Sequence, residues 1–239
     1  MTNNDFIVFD ADRPSDSPYI ERVWRCHSEA SGPFLAVASG HWELVVSNVR
    51  GECMVTVHGG ETRPREVFCP ADGEWYAIRF TQGTYMPRLP AGKMLNGHDL
   101  DLPLATKRRF ILHGSKWEIP TFDNAEVFVA RLAKAGIIMR DPTVDAVLQG
   151  DASALSLRSA QRHFRHATGM THAAFRQIER ARHATNLLRR GLAIADVVHA
   201  AGYYDQAHLT RSLRQFIGLT PQKIARAERQ LSFLYNTAP

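Results

Sequence analysis

The chain contains no run of 18 uninterrupted apolar residues, so no membrane-spanning helix and no membrane partner are expected. Its first residues, Met1 to Asp12, are acidic and lack the basic-then-apolar order of a secretory leader, which points to a cytoplasmic location. There are only three cysteines, Cys26, Cys53 and Cys69, odd in number, scattered and without C-x-x-C spacing. That excludes a disulfide framework and reads as reduced structural thiols. No Gly-rich phosphate loop, Ser/His/Asp order or paired carboxylates stand out, so the expectation is no enzyme and no cofactor. Low-complexity tracts are also missing.

A length of 239 residues with 44% hydrophobic content fits a globular chain of two small domains. Charge divides it. Residues 139–239 carry 14 Lys and Arg against 7 Asp and Glu, a net of +7, while residues 1–138 carry 15 against 17, a net of −2, together giving the +5 of the whole chain. A basic half free of low complexity is the electrostatic footprint of a phosphate-binding module.

That half holds two short segments of one design: SLRSAQRHFRHATG, from Ser156 to Gly169, and DQAHLTRSLRQFIG, from Asp205 to Gly218. In the first, Ala160 and Phe164 sit four apart on one helical stripe, and Arg158, Gln161, Arg162 and Arg165 fall elsewhere on the cylinder. In the second, Leu209 and Leu213 form the stripe, leaving Gln206, Ala207, Thr210, Arg211 and Arg214 facing away. Ser156 and Asp205 are placed to cap the two helices, and Gly169 and Gly218 to end them. A single Arg on an amphipathic helix is usually just a solvated face. Two matching faces of Arg, Gln and Thr suit the major groove, where Arg pairs with guanine and Gln with adenine. Ile194 to Ala200 reads as a short helix, Gly202 as a tight turn and Asp205 as the start of the next helix, which makes helix-turn-helix. His163, His166, His172, His183, His199 and His208 face different ways and form no metal set. His208, inside the second reading helix, stays a candidate contact to DNA.

From Leu155 to Pro221 the chain resembles the paired helix-turn-helix module of the AraC/XylS transcription regulators. The resemblance rests on Ser156 with Ala160, Arg162 and Phe164, on Ala167 to Thr171, and on Arg180, Arg182, Leu187 and Leu188 of a linker helix. It continues through Gly202, Tyr203, Asp205, Gln206, His208 and Leu209, and ends at Gly218 to Pro221. Ala193 stands where such modules usually carry a capping Ser, and Val198 where a small Ala is usual. In the first unit only Asp141 to Gln149 serves as the preceding helix, and Gly150 to Leu155 makes a longer connection than a tight turn. The resemblance implies two reading helices in successive major-groove segments of double-stranded DNA, held by a linker helix from Phe175 to Arg190 whose buried side is Ile178, Ala184, Leu187 and Leu188. Arg158, Gln161, Arg162, Gln206, Ala207, Thr210 and Arg211 are then contacts to bases or backbone, and Arg165 and Arg214 contacts to phosphates. Further implied partners are a small-molecule effector, a second copy of the chain, and RNA polymerase if the protein activates.

The N-terminal half reads differently. Arg22 to His27, Trp42 to Val49, Cys53 to Val57, Arg65 to Cys69 and Trp75 to Phe80 are short β-prone runs between Gly and Pro, as in an all-β sandwich or barrel. Gly59-Gly60 reads as a hairpin turn. Gly83 to Thr106 is loop-rich with one short helix near Ala91 to Leu95. Thr121 to Gly136 is a helix capped by Thr121, with a packing or a dimerising role. Gln222 to about Tyr235 continues as a helix, with Leu231, Phe233, Leu234 and Tyr235 too apolar for a free tail. Next to an AraC-like module, the β-rich half looks like a small cupin-like barrel for an effector or for dimerisation. His41-Trp42-Glu43, with His58, His98 and His113 distant, is an incomplete cupin metal pattern; a cupin-like metal enzyme or an oligomerisation module fused to the DNA-binding part is the alternative. Trp42, Phe68, Trp75, Tyr76 and Phe80 are expected mainly as core. The expected fold is thus α+β, divided as residues 1–120 (β-rich), 121–138 (connecting helix) and 139–239 (all-α with two helix-turn-helix units).

Overall fold

The computed structural model describes residues 6–151 and 156–231. A sheet-rich N-terminal region precedes a helical C-terminal region, an α+β arrangement. The longer strands are β1 (Ile7–Pro14), β2 (Ile20–Ser28), β3 (Gly32–Ala36), β4 (Glu43–Val49), β5 (Glu52–His58), β6 (Arg65–Cys69) and β7 (Gly73–Phe80). Shorter ones follow: β8 (Thr84–Tyr85), β9 (Leu100–Leu102), β10 (Leu104–Thr106), β11 (Arg109–Leu112) and β12 (Ser115–Glu118). Six of them make one antiparallel sheet in the order β1-β2-β7-β4-β5-β9. Among the described residues this ladder ends at β1 and β9 rather than closing, and the β3–β6 ribbon packs against one of its faces.

The two-residue period of the strands sorts side chains to two cores. Val23, Leu44 and Ile78 face one side, where Phe110 and Leu112 of β11 cover them. Trp24, Val45 and Ala77, one position on, face the other side with Cys69 and Phe34 of the ribbon. The helix α1 (Ala125–Lys134) closes the first core with Phe128, Val129 and Leu132, and Arg13 of β1 holds it through an ion pair to Glu126 at 2.6 Å. That contact holds the Glu126 carboxyl down to about 2. The helix begins at Asn124, which takes the capping place expected of Thr121; Asn124 Oδ1 accepts from the Thr121 N–H instead.

The tight hairpin lies elsewhere than expected. Arg50 and Gly51, at φ 53° and 83°, turn β4 into β5, and two such residues match the twist of paired strands. At Gly59 the chain instead crosses away from the sheet: Glu61 bridges Ser39, and a Cβ at Gly59 would lie 1.9 Å from the Met94 carbonyl oxygen. Close backbone approach, not a hairpin, explains that glycine. Trp42 stacks on Phe80 with ring centres 3.7 Å apart and is core, whereas Phe68 and Trp75 line a cavity.

A short strand, β13 (Met139–Arg140), pairs back onto β8 and leads into α2 (Pro142–Gln149), α3 (Leu157–Thr168), α4 (His172–Arg189), α5 (Ile194–Ala200), α6 (Gln206–Phe216) and α7 (Pro221–Ala225). Phe164, Ile178, Ala181, Ala184, Leu188, Val197, Leu209 and Leu213 form their common core. Leu187 is only half-buried at its edge. Leu35, Val37 and Ala38 of the N-terminal region belong to the same core, so one apolar interior spans both regions. The expected C-terminal helix stops at Ala225: Ala227 has φ 51°, and Leu231 bridges Leu35 beside a Leu35 N–H to Gln230 carbonyl bond of 3.0 Å. Pairing of the tail to β3 replaces helix there. Phe233, Leu234 and Tyr235 lie outside the described residues.

Candidate nucleic-acid interface

All the helices of this region but α5 start at a residue whose side chain satisfies a free first-turn N–H. Asp141 accepts from Thr143, Ser156 from Ser159, Thr171 from Ala174 and Asp205 from His208, the last at 2.6 Å. Ala193, before α5, makes no such bond. Asp141 also accepts from His163 Nδ1 at 2.6 Å, which ties α3 to the start of α2. Burial pushes the Asp141 carboxyl up, but the bonds from His163 and Thr143 outweigh it and hold it below its ordinary value. The shortened first unit therefore has a defined scaffold helix.

On α3 the buried side is Ala160, Phe164, Ala167 and Thr168, and on α6 it is Leu209, Ser212, Leu213 and Phe216. The opposite stripe of α3 is Arg158, Gln161, Arg162 and Arg165; on α6 it is Ala207, Thr210, Arg211 and Arg214. Both follow i, i+3, i+4, i+7 spacing, so each stripe runs along one face of its helix. All are exposed except Thr210, which is half-buried and donates its hydroxyl to the Gln206 carbonyl at 2.8 Å. Gln206 is exposed in the first turn of α6. Among the described residues none of Arg158, Arg162, Arg165, Arg211 and Arg214 lies in an ion pair, although the chain forms many elsewhere. Five uncompensated guanidinium groups on two like faces are what a polyanion requires.

His208 is held differently. It is half-buried, its ring meets Tyr203 edge-on with centres 5.1 Å apart, and its Nδ1 accepts from the Tyr204 N–H at 3.5 Å. It positions the turn before α6. Two residues unmarked by the helical pattern join the surface. Arg176 of α4 lines, with Leu157, Arg158, Gln161, Arg162 and Arg165, an open groove of about 960 Å³ beside α3. Tyr204, 92% exposed, stands immediately before Asp205. Tyr204 lies in a turn, where no periodicity marks an outward side chain, and Arg176 sits on the linker helix rather than a reading helix.

Residues 150–227 match a family model described as a helix-turn-helix domain. This segment is an AraC-type helix-turn-helix domain. With it, the chain is a DNA-binding transcription regulator. No curated protein matches the chain. Two solved structures of ToxT from Vibrio cholerae are similar to it at low level. One, from strain O395, has 7% identity and a TM-score of 0.40 over 90% of this chain and 97% of that one. The other, a P21 crystal form, has 8% identity and a TM-score of 0.42 over 98% and 100%. Among the described residues no helix is long and apolar enough to cross a membrane, and no group of three His, Cys, Asp or Glu is placed to hold a metal. His41 and Glu43, the nearest approach to a cupin metal pattern, are engaged otherwise: His41 Nε2 lies 3.1 Å from Glu21, and Glu43 accepts from Arg79 at 2.6 Å.

Proposed function

We propose that the AraC-type domain reads DNA with α3 and α6 in successive major-groove segments, while the N-terminal region senses a small molecule. The paired, uncompensated stripes support the first part. Arg158, Gln161, Arg162, Gln206, Ala207, Thr210 and Arg211 face bases or the adjoining backbone, Arg165 and Arg214 phosphates, and His208 steadies the turn. Support for the second part comes from one segment with two roles. Val37, Ser39 and His41 line a cavity of about 570 Å³ within the N-terminal region, a volume in the range of small-molecule sites. Their neighbours Ala38 and Gly40 touch the helices: the Ala38 N–H donates to the Phe216 carbonyl at the end of α6 at 2.8 Å, and a Cβ at Gly40 would lie 2.2 Å from the Phe175 ring of α4. Arg182 of α4 donates to Ser39 Oγ at 3.5 Å. Any ligand that moves this wall presses on both the linker helix and the second reading helix.

The test is DNA binding by full-length protein, Arg162→Ala and Arg211→Ala across a salt series. Each variant should lose about 1–3 kcal/mol on its best duplex and tolerate substitution at one base position. Arg165→Ala should weaken all duplexes alike and lower the salt slope by about one. If Arg162→Ala and Arg211→Ala both bind every duplex as tightly as the parent, the two-helix reading is wrong. For sensing, a small molecule that raises the melting temperature must also change DNA affinity, because linkage is reciprocal.

A further inference from the structure

The cavity between the six-stranded sheet and the β3–β6 ribbon has a lining of two kinds. Trp24, Phe34, Val45, Met54 and Trp75 give it apolar and aromatic wall. Glu43, Glu61, Asp99 and Asp101 give it four carboxylates, against the two guanidinium groups of Arg65 and Arg79. With the histidines neutral the lining therefore carries a net of two negative charges. His41 is held neutral, its imidazole pulled down to about 3 by burial first of all.

Both guanidinium groups are already engaged. Arg79, buried, donates from Nε to Glu43 at 2.6 Å, and Arg65 donates to Glu61 at 2.8 Å and lies 3.5 Å from Asp99. Behind Ser39, Arg182 of α4 pairs with Glu179 at 2.9 Å. An anionic ligand would have to pull one of these cations from its carboxylate and leave that carboxylate facing the ligand's own charge. Unused capacity is of the opposite kind. Glu61 Oε2 and His41 Nδ1 are buried acceptors with no partner among the described residues, and a neutral His41 donating from Nε2 to Glu21 leaves Nδ1 only able to accept. Trp24 donates from Nε1 to Glu43 Oε1 at 3.4 Å and Trp75 lines the same cavity, so aromatic rings and carboxylates occur together. That pairing favours an ammonium group by charge and by the ring quadrupole.

We propose that this cavity takes a compact organic cation, an ammonium group carried on an aromatic or branched apolar skeleton, and discriminates against the corresponding anion. The proposal rests on the sensing role and specifies its ligand. Asp99 and Asp101 supply the counter-charge, Glu61 Oε2 and His41 Nδ1 accept from the ammonium hydrogens, and Trp24 and Trp75 take the skeleton.

Tryptamine, tryptophol and indole-3-acetate share one skeleton and differ in charge, and serve as probes with the full-length protein. Melting temperature and DNA affinity are measured with each at equal concentration. Tryptamine should raise the melting temperature by several degrees, tryptophol less, and indole-3-acetate not at all. Glu43 is unsuitable for substitution because Arg79 would be stranded. Asp99→Asn and Asp101→Asn, which keep the side-chain shape and the oxygen that accepts from Gly59 and Thr56, should stay folded and weaken tryptamine roughly tenfold each relative to tryptophol. If indole-3-acetate stabilises and shifts DNA affinity, or tryptophol equals tryptamine, the cation assignment falls while sensing stands. If none of the three stabilises the protein or alters DNA binding, the cation assignment falls.

Discussion

Gly169 and Gly202 allow the docking of the two regions to be measured. Both have left-handed backbone, at φ 78° and 67°, and both lie at a turn between helices of the DNA-binding domain. A Cβ at Gly202 meets nothing within 4 Å, whereas one at Gly169 would lie 2.8 Å from the Ala91 carbonyl carbon and the Gly92 nitrogen. Those atoms are backbone of the 3-10 turn Ala91–Lys93 and cannot rotate away as a side chain could. Gly202→Ala therefore carries conformational strain alone, about 1 kcal/mol. Gly169→Ala carries the same strain and an overpacking cost of about 2 kcal/mol more. For a chain of this size the first should lower the calorimetric melting temperature by about 2–4 °C and the second by about 6–12 °C. Equal shifts would show that the 3-10 turn does not press on the end of α3, and would refute the account of how the regions dock.

Three further outcomes follow from single contacts. Asp205→Ala removes the cap of α6 and should cost about 1 kcal/mol in urea unfolding, with a larger loss of DNA affinity than Thr220→Ala, which uncaps α7 instead. Arg79→Ala removes a buried guanidinium and leaves part-buried Glu43 without its partner, and should cost about 3 kcal/mol in the same assay. His41 is neutral in the fold and protonates near pH 6.5 when unfolded, so its contribution is complete above pH 6.5 and is lost as pH falls from 6.5 toward 3. Between pH 6.5 and 5 the parent should lose about 1.1 kcal/mol per pH unit more than His41→Asn, and parallel stability curves for the two proteins would overturn that assignment.

Periodicity carries information where a segment has one buried side. The stripes of α3 and α6, with Ala160, Phe164, Leu209 and Leu213 buried and the basic faces outward, follow directly from helical spacing. The strand runs from Arg22 to Phe80 are legible for the same reason, since alternation at Val23/Trp24 and Leu44/Val45 reflects two covered faces. Pairing is not written in that pattern. Gly59-Gly60 and Arg50-Gly51 both look like turn chemistry, and only the identity of the partner strands separates a crossover from a hairpin. The end of the C-terminal helix was equally hidden, because Leu231 is apolar whether it continues a helix or pairs with Leu35. The basic face of α3 is local in sequence, whereas the cavity gathers residues from Trp24 to Asp101, and nothing local marks Glu61 or Asp99 as its lining.

The shared core restricts how the two regions can communicate. Separate domains joined by a small polar interface swing freely. Here Leu35, Val37 and Ala38 are buried with Leu213, Phe216 and Ile217, and the Ala38 N–H to Phe216 carbonyl bond lies at the end of α6 itself. Separating the regions would expose those side chains, at about 1.5–3 kcal/mol for each one larger than alanine, and break backbone bonds as well. A ligand in the cavity gains nothing comparable by prising them apart. Communication is therefore cheapest as a small displacement of residues 37–41 within the intact core, felt at Phe175 and Phe216 together. On that account Gly40→Ala, whose added methyl would press on the Phe175 ring from the same direction, should shift DNA affinity without any ligand present. Gly51→Ala, with nothing within 4 Å of its Cβ, should lose a little stability and leave DNA affinity unchanged. Identical DNA binding by Gly40→Ala and parent, both folded, would rule out this segment as the coupling element.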